Sequence, residues 1–449
     1  MRTCASAGAG LGLAGLGAKV AALDSRPNIL LVLVDQDRAP THTPMLKRPN
    51  LERLRQSGVD FSHAYCSYPL CSPSRSTILT GKYPHQVGVF ANIDFIRKTQ
   101  SLSPETPNLG RVFSRAGYQT AYFGKWHLTR GPHNRERMRK YGFGEMHISN
   151  EAVAVGSDEK VLAAAARWIQ KQKARGRPWL GIVSPVNPHD ICFPFLAQFY
   201  GEIPEYPVSL PPNFNDDPGR LYPGFGEYLK SSAIKIQRPR TEAGWKRYLD
   251  FYCFLTELID RNISIVLEAL SESGQEQDTV VVYSSDHGEM AGSHGLVNKS
   301  MGMYEENLHI PLVISCPRLA SRAVKYGGLV SNIDLVPTLA SLAGVSWPEP
   351  LPGFDLSPIL NGKAVSRPEM IFAEGKTEYE GASPWRGVRT ANWKYWRYQD
   401  GAEFLFELES DPLELNNLAG ESSFREIKRG LQEQLKNFQL TTRDPLLTA

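Results

Sequence analysis

The sequence predicts an α/β protein: a large, mostly parallel central sheet flanked by helices, followed by a smaller C-terminal antiparallel sheet and a terminal helix. Three observations predict it. Continuous apolar runs at 29–34, 179–186 and 279–283, the first of them Ile29-Leu30-Leu31-Val32-Leu33-Val34, read as strands covered on both faces. Helical periodicity with caps and terminating glycines separates them. Beyond residue 366 the pattern changes to period two, with Asn and Asp-Gly between short aromatic runs, as in hairpins.

Taken in order, residues 1–24 are Ala- and Gly-rich around Leu11, Leu13 and Leu16, too short and glycine-rich for a membrane span. The stretch has the form of an export signal with small residues at Ala21-Ala22, and resembles a twin-arginine signal with only Arg2 at its basic start. A periplasmic or secreted protein is expected. Strand 29–34 ends in Asp35-Gln36-Asp37, helix 50–57 closes at Gly58, and strand 59–65 leads to a turn at Cys71. A helix at 106–116 and strand 119–123 follow, the latter running into Gly124-Lys125-Trp126-His127. Helix 157–173 precedes strand 179–186, which ends at Asn187-Pro188-His189-Asp190. Residues 191–240 are Pro- and aromatic-rich with little periodicity, the mark of a functional insert. Helix 241–273 carries Tyr248, Tyr252, Leu255, Ile259 and Ile263 on one face. Strand 279–283 runs into Asp286-His287, and Lys299 lies in the loop beyond. Strand 310–315 and a helix at 335–343 capped by Asp334 complete the large unit. The expected division is 25–365 for this unit and 366–449 for a subdomain with strands at 386–390, 393–398 and 403–407 and a helix at 424–438.

The 449 residues suffice for one large or two unequal domains with an ample core. Lysine and arginine number 50 against 47 acids, interspersed, so the net of +3 supplies no reason for nucleic acid or an anionic membrane as partner. The six cysteines show neither a C-x-x-C pair nor zinc spacing, and no disulfide framework is expected.

The stretch Cys71-Ser72-Pro73-Ser74-Arg75, closing on Leu79-Thr80-Gly81, reads as a helix start. Pro73 suits an early helical position, Ser72 or Cys71 can cap, and Gly81 can end the helix. Such a start exposes N–H groups and the positive end of the dipole, and Arg75 adds a planar cation, so an anion is favoured there. Four predicted strands also end in polar clusters: Asp35-Gln36, Lys125 with His127, His189, and Asp286-His287. One Asp after a strand is usually a turn residue, and one His usually a satisfied surface residue. Four such ends in one parallel sheet open onto the same edge, which makes them a site.

The Cys71–Gly81 stretch fills every fixed position of C-x-P-S-R-x-x-x-L-T-G and so resembles the signature of the type I sulfatases, in the alkaline-phosphatase-like superfamily. The resemblance extends from Asn28 to about Ala419. It implies that Cys71 is oxidised to formylglycine by a formylglycine-generating or anaerobic sulfatase-maturating enzyme. It also implies divalent-metal ligands at Asp35, Gln36, Asp286 and His287, together with the modified Cys71. The Gln36/His287 pair is closer to the choline-sulfatase, iduronate-sulfatase and phosphonate-hydrolase branches than to members with Asp and Asn there. Calcium is the first choice, with magnesium or manganese as alternatives. Lys125, His127, His189 and Lys299 match sulfate-binding and proton-transfer positions, and Asn92 a polar active-site position.

Chemically, a sulfate monoester needs positive charge on its sulfuryl oxygens, from the metal, Arg75, Lys125 and Lys299; an in-line nucleophile; and an acid for the leaving oxygen. The resemblance implies that one hydroxyl of the formylglycine hydrate attacks sulfur. The second then loses its proton, to His127, and sulfate is expelled. His189 is the candidate acid, a role that some accounts of the family assign to Lys299. The expected substrate is a sulfated carbohydrate, with Tyr379, Trp385, Trp393, Tyr395, Trp396 and Tyr398 as candidate sugar-facing rings and Arg386 or Arg389 for a second anion. Period two puts Trp393 and Tyr395 on one strand face and Trp396 and Tyr398 on the other, so one of these sets is expected to be core. The alternatives are a phosphonate or phosphodiester hydrolase, a choline sulfatase, a non-catalytic sulfoglycan-binding protein, and an ordinary thiolate hydrolase.

Overall fold

The computed structural model describes residues 26–93, 100–148, 152–173, 176–220, 222–299, 301–319, 323–364, 367, 369–376 and 383–446. The export-signal-like segment, Cys4 and Tyr379 lie outside them.

Thirteen strands are formed by the described residues: β1 Asn28–Val34, β2 Gly58–Tyr65, β3 Gln119–Gly124, β4 Glu145–His147, β5 Trp179–Ser184, β6 Thr279–Ser285, β7 His309–Ile310, β8 Leu312–Ser315, β9 Val324–Ser331, β10 Met370–Gly375, β11 Trp385–Thr390, β12 Trp393–Tyr398 and β13 Glu403–Glu407. The first nine make one sheet in the order β4-β3-β5-β1-β6-β8-β2-β7, with β9 also on β2. The run β4-β3-β5-β1-β6 is parallel throughout, while β8 is antiparallel to both β6 and β2. The last four form the separate antiparallel sheet, β10-β11-β12-β13.

The apolar run in β1 is continuous because both faces are covered. Leu30, Val32 and Val34 pack with Val161, Ile169, Ile259 and Ile263 of the helices Asp158–Gln172 and Glu242–Glu272. Ile29, Leu31 and Leu33 join the opposite cluster, with Ile78 and Leu79 of the helix Cys71–Thr80. Each such side chain, fully buried, is worth about 1.5–3 kcal/mol of transfer free energy. All ten residues of Cys71–Thr80 are buried, so that helix has no solvent face to betray it by periodicity.

Several elements differ from expectation. β4, β9 and β10 have weak local signals: β4 has three residues, and β9 is an edge strand with Gly327-Gly328 inside it. The run 310–315 is divided at Pro311, whose missing N–H separates β7 from β8, each of which pairs with β2. The 191–240 stretch contains the helices Pro223–Lys230 and Ser232–Gln237 and 3-10 turns. Asp334 precedes the helix Leu335–Leu342, yet its carboxylate accepts from the N–H groups of Ser331 and Phe354 rather than from that helix.

The C-terminal aromatic residues are a correction. Trp396 and Tyr398 point into the main core beside Phe404, and Tyr395 into a second cluster with Phe372, Val388, Leu405, Leu431 and Leu435. Both faces of β12 are therefore core, one against the large sheet's domain and one against the helix Arg425–Thr442. Trp385 is buried too. The arginines are likewise committed: Arg386 pairs with Asp444 at 2.6 Å and Glu374 at 3.2 Å, and Arg389 pairs with Glu305 at 3.2 Å.

Candidate active site

Four adjacent parallel strands, β3-β5-β1-β6, carry their carboxyl ends to one edge, and the helix Cys71–Thr80 starts there. Leu70 is the extended N-cap residue, and neither Ser72 nor Cys71 caps the helix through its side chain. Instead Asn92 Oδ1 accepts from the Ser72 N–H at 3.0 Å, while Ser72 Oγ donates to the His127 carbonyl and accepts from the Ile93 N–H. Asn92 thus holds the start of the helix. Gly81, at φ +67°, ends it.

Cys71 Sγ lies at the centre of the edge, 1% exposed as a residue, 3.2 Å from His287 Nε2, 3.8 Å from Asp35 Oδ1 and 3.9 Å from Lys125 Nζ. The two carboxylates each divide their oxygens. Their Oδ2 atoms take Arg75, Nη2 to Asp35 and Nε to Asp286, both at 2.8 Å. Their Oδ1 atoms turn towards His287 Nε2, at 3.8 and 3.7 Å. Arg75 Nη1 is donated to the Lys125 carbonyl and to Ser184 Oγ. Four of the five guanidinium N–H groups are so used. Arg75, expected on the sulfuryl oxygens, is in this geometry first the bridge between Asp35 and Asp286.

Donor chemistry at this point fits a cation. One atom each of Asp35, Cys71, Asp286 and His287 lies within 4.8 Å of the others, all buried. His287 Nδ1 is 2.9 Å from the Gly288 carbonyl, an acceptor, so the proton sits on Nδ1 and Nε2 presents a lone pair. A lone pair facing two carboxylate oxygens beyond hydrogen-bond range suits a hard divalent ion between them. Burial, reinforced by Lys299, lowers the His287 pKa and favours this neutral form. Burial raises the Asp35 carboxyl, but Lys125, His189, Arg75 and His287 together hold it well below its ordinary value.

Gln36 stands beside this group. At φ 74° its N–H donates to Asp286 Oδ1, its Oε1 receives Lys299 Nζ and the Cys192 thiol, and its Nε2 donates to Glu289. Lys125 Nζ pairs with Asp35 Oδ2 at 2.9 Å. His127, at φ 53°, lies at the same edge and is 6% exposed. His189 is half-buried as a residue, its Nδ1 has no hydrogen-bond partner among the described residues, and burial with Lys125 and Lys299 drops its pKa well below the ordinary value. Lys299 is 6% exposed, and despite burial its pKa is raised, by Cys192, Cys71, Asp35 and Glu289.

All eleven expected residues therefore reach one edge of the sheet or the helix start beside it. Cys192, Ser184 and Glu289 also belong to it and were not anticipated. Glu289 and Ser184 have a sequence signal, since they lie two residues beyond His287 and at the end of a strand. Cys192 sits in the insert, where only the fold brings it to Lys299.

A family model described as Sulfatase matches residues 27–345. The chain belongs to the sulfatase family. It is a sulfuric ester hydrolase, and the family implies a metal and a formylglycine. A second model, described as N-sulphoglucosamine sulphohydrolase, C-terminal, matches residues 292–441 of this sulfatase. Similar curated proteins include the Delta 4,5-hexuronate-2-O-sulfatase of Bacteroides thetaiotaomicron, 29% identical, with 93% of this chain and 89% of that protein covered. The choline-sulfatase of Rhizobium meliloti is 30% identical, with 88% and 82% covered. Among solved structures, a 2-O GAG sulfatase superposes with a TM-score of 0.80 at 26% identity, covering 94% of this chain and 93% of that one.

Proposed function

We propose that this sulfatase hydrolyses a sulfate monoester on a carbohydrate, using a formylglycine hydrate derived from Cys71 as nucleophile. The observation that carries the reading is the buried Cys71 thiol at a helix start, among two carboxylates, an imidazole and the Lys125 ammonium. When bound by Asp35, Asp286 and His287, with Gln36 Oε1 giving up its Cys192 or Lys299 donor to join them, a divalent cation (calcium first, magnesium or manganese otherwise) would supply positive charge that lowers the pKa of an attacking hydroxyl and offsets sulfuryl charge. The geminal second hydroxyl of the hydrate lets sulfate leave without water attacking a stable ester.

Lys125 holds Asp35 and stands within reach of the residue-71 side chain, so it binds a sulfuryl oxygen beside the nucleophile. His127 takes the proton of the second hydroxyl. Two groups are candidates for protonating the leaving oxygen. Lys299 carries its proton in the resting site, whereas burial keeps His189 neutral there, which favours Lys299 as donor and His189 as a hydrogen-bonding partner. General acid help is worth ~10²–10⁴-fold.

The sugar-facing surface moves from the C-terminal hairpins to the segment after His189. The rings of His189, Phe193 and Phe195 meet edge to face at centroid spacings of 6.1 Å, and Phe195 is 58% exposed. An open aromatic face next to the candidate proton-transfer groups suits a sugar ring. The hexuronate and GAG names of the relatives support a saccharide, and the choline-sulfatase supports the alternative. Export to the periplasm or beyond, where polysaccharide fragments arrive, is part of the proposal.

The test is sulfate release from a panel of sulfated uronic acids, sulfated amino sugars and choline sulfate, by protein with Cys71 modification confirmed by mass. Turnover of choline sulfate with no desulfation of any sugar would overturn the carbohydrate reading. Parallel rates on phosphonate and sulfate monoesters separate the phosphonate-hydrolase alternative, to which the Gln36/His287 pair also points.

A further inference from the structure

We infer that Glu289 is a positioning residue that sets the amide orientation of Gln36 and, through it, the direction of the Lys299 ammonium. This rests on the proposed roles of Gln36 and Lys299.

An amide side chain has one accepting and one donating end, and which end faces the site depends on its neighbours. Gln36 Nε2 meets Glu289 Oε2, and a carboxylate there can only accept. The amide is thereby locked with Oε1 towards Lys299 Nζ and the Cys192 thiol, both of which donate. A flipped amide would set its NH2 group against the ammonium and its oxygen against the Glu289 carboxylate.

Glu289 is itself fixed by three further donors on Oε1: Tyr248 OH at 2.9 Å, the Asn298 N–H at 2.7 Å and the Ala291 N–H at 3.1 Å. Two of these N–H groups belong to residues at positive φ, Ala291 at 43° and Asn298 at 69°. Such conformations cost of order 1–3 kcal/mol each and persist only where the surroundings impose them. Asn298 directly precedes Lys299. One carboxylate therefore holds both the acceptor that receives the lysine and the backbone that delivers it.

Among the described residues Glu289 has no ion pair within 4.0 Å, although it is fully buried. Neutral donors alone hold it. A glutamine of the same shape would fill the space equally well, so packing gives no reason for a carboxylate. Orientation of Gln36 does, because only a group without donors forbids the flip.

The experiment measures kcat and KM for sulfate release from whichever ester of the panel the wild type turns over. The variants are Glu289→Gln, Gln36→Glu, the exchange Gln36→Glu with Glu289→Gln, and Lys299→Ala. Removing such supporting partners typically costs 10–100-fold. Glu289→Gln should lose about 10-fold or more, chiefly in kcat, with an unchanged melting temperature. Gln36→Glu should also be impaired, because two carboxylates then face each other. The exchange restores one acceptor and one donor across the contact, and should recover about 10-fold over Gln36→Glu. Glu289→Gln within twofold of wild type, or losses that simply multiply in the exchange, would overturn the inference. If Glu289→Gln does not fold, the comparison of Gln36→Glu with the exchange decides by the same criterion. Undiminished kcat in Lys299→Ala would instead overturn the site reading beneath it.

Discussion

Arg75 lies between two buried carboxylates, and its charge matters as much for the fold as for any anion. Removing one partner of a buried, hydrogen-bonded ion group leaves the other charges uncompensated, at a cost of about 3–5 kcal/mol. Arg75→Ala should therefore lose that much in denaturant unfolding. Arg75→Lys keeps the charge but cannot bridge Asp35 Oδ2 and Asp286 Oδ2 while bonding Ser184, and should fall between wild type and the alanine variant. Equal stability of Arg75→Ala and wild type would remove the bridge from the account. Cys71 differs, because the ions around it, Asp35, Asp286, Arg75 and Lys125, already pair with one another. Cys71→Ala should abolish turnover with little loss of stability, and peptide mass spectra of active enzyme should show formylglycine at 71 instead of a thiol.

At the scale of the element, the turn that carries His189 depends on the helix beside it. Asp158, the first residue of Asp158–Gln172, accepts from the N–H groups of Val186 at 2.7 Å and Asn187 at 2.9 Å. Burial pushes its carboxyl up to about 7 from an ordinary 3.8. A raised folded-state pKa means that its contribution is fully present below pH 4 and is lost as pH climbs through 7. Asp158→Asn cannot titrate, so its melting temperature should change less than that of wild type between pH 4 and 7. Parallel curves would show that Asp158 is not the titrating group. The end of the signature helix is equally local. At Gly81, φ is +67° and an added Cβ would lie 2.9 Å from Val336 Cβ, so Gly81→Ala should destabilise by about 1–3 kcal/mol through strain and overpacking.

For the whole molecule, the proposed metal site would link cation binding to the fold. The carboxylates proposed as ligands, Asp35 and Asp286, directly follow β1 and β6, and Arg75 ties them to the helix Cys71–Thr80. A cation that binds only the folded chain stabilises by RT ln(1 + [L]/Kd), about 2.7 kcal/mol at a hundredfold excess over Kd. Chelation should lower the melting temperature and abolish sulfate release, with both restored by calcium. An Asp286→Ala variant should show neither response. If it bound metal and turned over like wild type, the ligand assignment would be wrong. The second sheet is secured to the same body by Arg389 and Lys394, which both pair with Glu305 of the large unit.

What was legible in the sequence followed from local rules. Apolar runs named β1, β5 and β6, the polar residues after them named the edge, and the fixed pattern around Cys71 named the helix start. These signals survive because each strand buried on both faces must be apolar throughout, and each carboxyl end must leave the core. Partners were not legible. That Asn92 holds the helix start, that Arg75 bridges Asp35 and Asp286, and that Glu289 faces Gln36 are contacts across 20 to 253 residues of chain. The aromatic hairpin shows the same limit: period two placed Tyr395 and Trp396 on opposite faces, but only tertiary packing made both faces interior. A face becomes core or surface according to what the rest of the chain lays on it, and no window of local sequence contains that.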